Sequence, residues 1–356
     1  MPLSIQGFLN NKELFSVRSI SKGLDIIRFK AGLLGRLGWF QEQGIPGSLT
    51  IIERRFTNVQ LLSPHRRGGS GQAFDIERRA GVPVEVPQYD SVANVSNADI
   101  LNLRKFDGGF AMSDLQELIM RTSKQQIDVA LEPTLEYARI SCLWGKTCNG
   151  TGTTAIDWDA LFGIPRPTAT LADDFDESTI NDWTDIIQDA AGGMPYDETV
   201  VLCGTNVWAK LLTNPKFRES RNYWQASQGQ RTAYWEQIGE ITQVIWNGVR
   251  FIKYPAFTFG EKKLGNTPLT FPANKAFVFP IGIPGKFMTQ YAIGDFNELK
   301  PEDVGLKYYA KVEPNEFGRG MKIYLQSNAL IYDAFPETTI EVTLAPPPAP
   351  PSGGGG

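Results

Sequence analysis

The sequence predicts a mixed α+β protein, and three observations carry that prediction. Apolar residues recur at helical spacing over residues 113–145, which predicts one long helix. Short runs rich in valine, isoleucine and phenylalanine alternate with helical stretches over residues 173–300, a pattern typical of a lobe built from strands and helices. Residues 305–344 are rich in strand-forming side chains, so we expect the chain to end on a β-rich segment.

Length and composition are those of an ordinary globular protein. The chain has 356 residues, of which 42% are hydrophobic and 21% charged, enough for one large domain or two lobes. The net charge is −4 and the isoelectric point about 5.3, whereas a protein that grips nucleic acid needs a concentrated basic face. There is no signal-peptide pattern at the start and no run of 18 apolar residues, so we expect folding in a cytoplasm without a membrane span.

Residues 1–44 are predicted to form an extended N-terminal arm with short helical pieces. Apolar clusters at residues 26–29 and 33–37 are interrupted repeatedly by glycines. Such a pattern does not predict a compact domain.

Residues 45–90 are predicted to form a long hairpin. Its strands, residues 48–62 and 73–86, alternate apolar and polar side chains, and a glycine-rich basic tip at residues 63–72 joins them. Six arginines occur in pairs, namely Arg54, Arg55, Arg66, Arg67, Arg78 and Arg79. Two interpretations stay open: the arginines belong to a solvated loop, or the hairpin lies across a neighbouring subunit, where arginine forks meet carboxylates.

The long helix is predicted to begin at Ser113, with Gln116 at the capping-box position, and to end near Gly145. About 32 residues at 1.5 Å each would make it about 48 Å long. Pro133 is predicted to kink or divide it. The predicted apolar stripe, opposite a polar back, consists of Leu115, Leu118, Ile119, Ile127, Ala130, Leu131, Leu135, Ala138 and Cys142.

The lobe that follows is predicted from its local patterns. A turn at residues 147–152 precedes a short strand at 153–158, and residues 173–191 form an acidic amphipathic helix. Further predicted elements are a strand at 199–203, a helix at 206–213, a hairpin of 241–246 and 249–254 around Asn247–Gly248, and a strand at 275–279. The tail, residues 345–356, is a low-complexity Pro/Gly segment.

The sequence predicts no catalytic, cofactor-binding or metal-binding residues, and no enzymatic activity. His65 is the sole histidine, so a catalytic triad or a histidine metal cluster lacks its parts. The cysteines Cys142, Cys148 and Cys203 form no CxxC pair and indicate free thiols in a reducing compartment. Gly145-Lys146-Thr147 lacks the upstream glycine of a phosphate loop.

The order of these segments resembles the HK97-type fold of tailed-phage major capsid proteins. The local sequence resembles more specifically the lambda-like capsid protein E family. The carriers of the resemblance are Arg66-Arg67-Gly68-Gly69-Ser70 with an extended return to Val84-Glu85-Val86-Pro87, then Asp99 to Arg104 before the long helix, Ser327-Asn328-Ala329-Leu330-Ile331, and Ile340-Glu341-Val342.

The resemblance covers the chain up to about residue 344 and implies a division into named parts. These are an N-terminal arm (1–44), an E-loop (45–90), a peripheral domain (91–172, with its spine helix at 113–145), an axial domain (173–300), return strands of the peripheral domain (301–344) and a flexible tail (345–356). A long hairpin and an extended arm cannot bury enough of themselves to be stable alone, so neighbouring subunits would supply the missing surface.

The resemblance also implies partners and a location. The chain would bind copies of itself in hexamers and pentamers of an icosahedral shell, together with scaffolding, portal and decoration proteins. Packaged double-stranded DNA would be a weak, non-specific contact, with no membrane and no cofactor. The protein would be part of the virion after assembly in the cytoplasm of a bacterial host.

Three other interpretations stay open at this point. An encapsulin-like nanocompartment would share the fold and enclose protein cargo instead of DNA. A β-rich phage tail or baseplate component would assemble as rings or tubes. An enzyme is the weakest alternative, because the sole histidine lies in a glycine-rich loop.

Overall fold

A computed structural model gives the architecture of most of the chain. It describes residues 16–25, 32–55, 79–102, 112–148, 152–220, 236–238, 241–255, 258–259, 269–296, 299, 303–316 and 319–345. The helices are α1 (Val17–Asp25), α2 (Leu33–Leu37), α3 (Asn97–Asn102), α4 (Met112–Gln126), a π-helical segment (Ile127–Leu131), α5 (Glu132–Leu143), α6 (Trp158–Phe162), α7 (Glu177–Ala191), α8 (Thr205–Thr213) and a 3-10 segment (Pro336–Thr338).

The strands fall into two large sheets and three small pairs. They are β1 (Gln41–Ile45), β2 (Leu49–Arg55), β3 (Arg79–Glu85), β4 (Gln88–Ser96), β5 (Lys146–Cys148), β6 (Thr154–Asp157), β7 (Thr168–Leu171), β8 (Glu198–Cys203), β9 (Glu236–Ile238), β10 (Ile241–Trp246), β11 (Val249–Lys253), β12 (Thr258–Phe259), β13 (Leu269–Thr270), β14 (Lys275–Ile281), β15 (Phe287–Ala292), β16 (Tyr309–Pro314), β17 (Gly320–Asp333) and β18 (Ile340–Leu344). The pairs β2–β3, β5–β6 and β12–β13 are two-stranded.

The five-stranded sheet is organised by β17. This strand pairs antiparallel with β16 and β4 along its first part and with β15 along its last part, while β1 runs parallel to β15. This sheet therefore joins segments from the first third of the chain to segments from its last quarter.

The seven-stranded sheet has the order β7-β18-β14-β8-β11-β10-β9. Its central strands are buried on both faces: Val200 and Leu202 of β8 face the core that contains α4 and α5, whereas Val201 and Cys203 face α7 and α8. Burial on both faces explains why β8 is a continuous apolar run. The predictions for this sheet are confirmed to within two residues. They comprise the strands at 199–203, 241–246, 249–254 and 275–279, the helix at 206–213 and the Asn247–Gly248 turn.

The long helix, called the spine helix below (Met112–Leu143), runs without a break through Pro133. The predicted interruption takes the form of the π-helical segment, in which Glu132 donates its backbone N–H to the carbonyl of Ile127, five residues earlier. A proline ring clashes with the carbonyl four residues before it in an α-helix, and a wider π turn relieves that conflict. The helix begins at Met112, one residue before the predicted Ser113.

The predicted stripe of the spine helix is buried except at two positions: Leu118 is half-buried and Ala130 is exposed, because the π turn rotates the face. The predicted polar back is wrong for α5, where every residue from Leu135 to Leu143 is buried, including Glu136 and Arg139. This half of the helix lies between the two sheets.

The described part of the N-terminal arm is not extended. Val17, Ile20 and Leu24 are spaced as one helical face and are buried against the chain's own core. Ser21 accepts a hydrogen bond from the backbone N–H of Ala310 at 2.9 Å, and β1 joins the five-stranded sheet. The short helical pieces predicted for this segment are present as α1 and α2, and the assignment of residues 1–44 as an arm stays a prediction. Residues 1–15 and 26–31 lie outside the described residues.

The acidic helix is shorter than predicted. α7 begins at Glu177 because Asp176 caps it, accepting hydrogen bonds from the backbone N–H groups of Ser178 and Thr179 at 3.0 and 3.4 Å. Ile186, predicted as part of the apolar face, is 40% exposed.

The two large sheets exchange strands across the predicted domain boundaries. β15, placed by sequence in the axial domain, lies in the five-stranded sheet, whereas β7 and β18, placed in the peripheral domain, lie in the seven-stranded sheet. The division into named domains stays a prediction, and any such division has to follow these strand pairings.

Candidate assembly surface

The candidate assembly surface is the root of the predicted hairpin, formed by β2 and β3. The two strands pair antiparallel from Leu49–Glu85 to Arg55–Arg79. Because side chains alternate along a strand, each strand has an inner and an outer face. Ile52 and Val84 are buried against β15, β17 and α6, and so anchor the hairpin to the body of the protein.

The outer face of this hairpin is apolar and exposed. Leu49 and Ile51 are 65% and 62% exposed, and Pro83, which pairs with Ile51, is also exposed. Two isolated strands are marginally stable in water, and two large side chains on the open face add to that cost. The surface is therefore suited to contact with another chain.

The six predicted contact arginines are only partly within the described residues. The ladder places Arg54 opposite Ala80 and Arg55 opposite Arg79, at the end of the paired region that points along the hairpin. Arg66, Arg67 and Arg78 lie outside the described residues, as do His65 and the glycine-rich tip. The structure thus brings Arg55 and Arg79 to neighbouring positions, and the contact role of all six stays a prediction.

An open groove of about 920 Å³ runs along the base of the hairpin. It is lined by the turn before β2, by the end of β3, by β6 and α6, and by the end of β15. Its walls mix apolar side chains such as Leu161 with the carboxylates of Glu85, Asp157 and Asp295. The groove continues the exposed hairpin face, so the two form one candidate surface.

A buried polar cluster on the spine helix holds α2 in place. Glu136 accepts hydrogen bonds from the backbone N–H groups of Leu34 at 2.7 Å and Gly35 at 3.1 Å, and from the hydroxyl of Tyr254 at 3.2 Å. A carboxylate at these N–H groups satisfies donors that α2 cannot pair internally. A Cβ at Gly32 would lie 2.2 Å from the Glu136 carboxylate carbon, so α2 can approach this closely only with glycine there.

The same cluster ties the spine helix to β16. Glu132 accepts a hydrogen bond from the hydroxyl of Tyr308 at 2.7 Å. It also forms an ion pair with Lys307 at 2.7 Å. Burial, and then the Glu132 charge, raise the pKa of Tyr308 well above its ordinary value, which keeps the phenol protonated as a donor. The sequence signal for this cluster was available: Glu132, Glu136 and Arg139 share the buried face of an otherwise apolar helix.

The described residues include no reactive thiol and no cluster of metal-ligating side chains. Cys142, Cys148 and Cys203 are buried free thiols, and burial raises the pKa of each. A protonated thiol is a poor nucleophile. Within the described ranges no group of three or more metal-ligating side chains comes together.

Among the helices that the structure describes, none combines the length and the apolar character needed to cross a bilayer.

Comparisons with solved structures find phage capsid proteins at low sequence identity. A structure assigned as the capsid protein of a prophage of E. coli CFT073 aligns with a TM-score of 0.50 at 14% identity, covering 97% of this chain and 100% of that chain. A structure from Gordonia phage Cozz has a TM-score of 0.48 at 12% identity, with 90% and 89% covered. The capsid of cyanophage P-SCSP1u has a TM-score of 0.47 at 11% identity, with 90% of each chain covered. The fold is of the HK97 type.

No curated protein is detectably similar to the chain. The family described as phage major capsid protein E matches residues 16–344, which is nearly the whole sequence. That match includes the hairpin, the spine helix and both sheets. The chain therefore belongs to the phage major capsid protein E family.

Proposed function

We propose that this capsid protein self-assembles into the icosahedral head shell of a tailed phage and encloses its double-stranded DNA. The observation that carries the assembly mode is the hairpin root. Its inner face is completed by the subunit's own core, and its outer face presents Leu49 and Ile51 to solvent. A second copy that covers this face would remove apolar surface from water, at about 25 cal/mol per Å².

The paired arginines supply the specificity of this contact. Residues 54–79 contain six arginines against Asp75 and Glu77, a net charge of +4, while the whole chain carries −4. The rest of each copy is therefore acidic, and a basic hairpin meets complementary charge wherever it lies on a neighbour. Bidentate arginine–carboxylate pairs would then fix the register between copies.

The shell would consist of hexamers and pentamers, with scaffolding, portal and decoration proteins as further partners. An overall acidic subunit suits a lining that touches packaged DNA weakly and without sequence preference. The protein would be located in the virion and assembled in the bacterial cytoplasm. We further propose that it has no enzymatic activity, since the three thiols are buried and protonated.

Electron microscopy of the purified, concentrated protein tests this function. Closed icosahedral particles are expected, and particles purified from the native source should contain double-stranded DNA. Rings or tubes would instead indicate a tail or baseplate component, and closed particles filled with a cargo enzyme would indicate a nanocompartment. Either result would overturn the proposal.

A further inference from the structure

Within the part of the chain that the structure describes, three connections lead from one side of the two-sheet body to the other. The first passage, residues 163–167, leads from α6 to β7, the second, residues 282–286, leads from β14 to β15, and the third, residues 334–339, leads from β17 to β18. All three meet at one buried polar cluster. The geometry of this cluster is therefore coupled to the relative placement of the sheets.

Lys286, at the end of the second passage, is the centre of this cluster. Its ammonium group, 2% exposed, donates to both carboxylate oxygens of Asp333 at 3.0 and 3.1 Å, where the third passage begins. The carbonyl of Phe335 at 3.0 Å and the hydroxyls of Thr338 and Thr339 at 2.6 and 2.9 Å also lie within hydrogen-bond distance, so five acceptors share the N–H groups of this ammonium. One side chain thus holds the start, the middle and the end of the third passage.

Arg166 brings the first passage and the spine helix into the same cluster. It donates to the carbonyl of Leu143, at the end of the spine helix, at 2.7 Å, and to Asp159 at 3.2 Å. Its guanidinium lies 4.0 Å from the Asp333 carboxylate. A cation at the last carbonyls of a helix also suits the helix dipole.

The cluster differs in kind from the apolar contacts between the sheets. The apolar core that both sheets share around α5 is non-directional and tolerates small changes of packing. Hydrogen bonds to a buried charge require defined distances and angles. A buried ion pair contributes little net stability compared with apolar residues of similar volume, which leaves the selection of one geometry as the role tested below.

We propose that Lys286 is a positioning residue that fixes the angle between the two sheets and thereby the curvature of the assembled shell. This inference rests on the proposed shell function for its second half only. The first half concerns the single subunit and can be tested without assembly.

The decisive variant is the double change Lys286→Met and Asp333→Asn. It removes both charges of the pair and keeps one side-chain oxygen at position 333, which can accept from the Phe335 N–H, while the Thr339 hydroxyl, which bonds the other oxygen of Asp333, loses that acceptor. The matched control is Lys275→Met with Glu341→Gln, which removes an ion pair between adjacent strands of one sheet.

Spin labels on the five-stranded sheet and on a helix packed against the seven-stranded sheet give the direct readout. Labels at Asn94→Cys on β4 and Gln188→Cys on α7 occupy exposed positions, while the three native cysteines are buried. Pulsed dipolar spectroscopy should give one narrow distance distribution for the parent and the control, and an about twofold wider or displaced one for the double variant. Shell diameters should likewise become mixed or the shells fail to close.

A folded double variant with the parental distance distribution and the parental shell diameter would overturn the inference, even with a lower melting temperature. If the double variant does not fold, Thr339→Val decides in its place. It removes one acceptor of Lys286 without a change of charge, and we expect the same broadening of the distance distribution to a smaller degree. An unchanged distance distribution would refute the inference. If the parent forms no shells and the double variant still loses the fixed distance, the proposed function is refuted while the positioning role of Lys286 stands.

Discussion

Side chains alternate between two faces in both the seven-stranded sheet and the β2–β3 hairpin, but the two regions differ in how many of those faces the subunit covers. In β8 both faces are covered by the subunit's own helices, whereas in the hairpin only the face of Ile52 and Val84 is covered. The outer face with Leu49 and Ile51 stays open. The difference separates a part of the subunit that is complete by itself from a part whose partner surface lies on another chain.

The largest expected effect breaks the covered region. Leu131→Asp places an unpaired charge in the core around the spine helix, where Leu131 is 3% exposed. We expect a loss of more than about 4 kcal/mol in the free energy of unfolding, and insoluble protein. Val129→Asp is the matched control, because this residue of the same π-helical segment is 72% exposed. Soluble, fully assembled Leu131→Asp protein would show that the stripe does not face the core.

The second prediction removes the tip of the uncovered region. Deleting residues 64–72 should leave a folded subunit that forms no shells, since the hairpin root keeps its anchor on the body while the basic tip is gone. Circular dichroism and electron microscopy measure the two halves of this expectation. Deleting residues 346–356 is the control and should leave assembly intact. Normal closed shells from the tip deletion would refute the assignment of the hairpin.

A third prediction separates the two faces of the hairpin with adjacent residues. Ile51→Asp should change the unfolding free energy by no more than about 0.5 kcal/mol, as expected for an exposed site, yet reduce assembly strongly. Ile52→Asp should destabilise the subunit itself by several kcal/mol, about 3 or more, because Ile52 is 2% exposed. Chemical unfolding and light scattering distinguish the two. Equal effects of both changes on folding would mean that the outer face is not a free surface.

The fourth prediction concerns pH and the covered region. Burial raises the pKa of Cys203 well above its ordinary value of about 9, so in the folded state the thiol stays protonated while in the unfolded chain it ionises. Its contribution to stability is fully present below pH 9 and is lost as pH rises further. One such thiol gives a loss of about 1.4 kcal/mol between pH 8 and pH 10.

Cys203→Ala isolates this contribution. The variant is expected to be less stable at every pH because it leaves a small cavity, so the slope decides rather than the absolute value. Its unfolding free energy should fall by about 1.4 kcal/mol less than that of the parent between pH 8 and pH 10. Burial lowers the pKa of Lys286, which acts in the opposite direction, but this contribution cancels between parent and variant. Identical slopes would contradict a buried, protonated Cys203.

The sequence predicts the covered region better than its long-range partners. Continuous apolar runs locate β8 and β14, and helical periodicity locates the spine helix, because each pattern is local. It does not reveal that β4 pairs with β17, more than 200 residues later, nor that β18 enters the seven-stranded sheet. Lys286 and Asp333 are 47 residues apart, so nothing in the spacing indicated that they meet in the core.

The hairpin contact predicted from the sequence is only half visible within one subunit. The register of β2 and β3 and the two exposed side chains follow from the alternation, since one face has to bury and the other remains open. The acceptors for the arginines belong to another copy, and no pattern within one chain specifies how two copies dock. A structure of the assembled shell would supply that register.

The smallest expected effect is that the capsid protein runs as a single band after mature particles are boiled in detergent. It concerns whether the hairpin is joined to the neighbouring subunit by a covalent bond. Some shells of this fold are locked by isopeptide bonds from a lysine of the hairpin. Here no lysine occurs between Lys30 and Lys105, so the whole hairpin carries only arginine as its cation. A guanidinium stays protonated and is a poor nucleophile, so it cannot form that amide. We predict a shell held by buried interfaces and arginine–carboxylate pairs, with a separate decoration protein as further reinforcement. Mature particles boiled in detergent under reducing conditions should give one capsid-protein band near 39.5 kDa, whereas a ladder of covalent oligomers would refute the prediction.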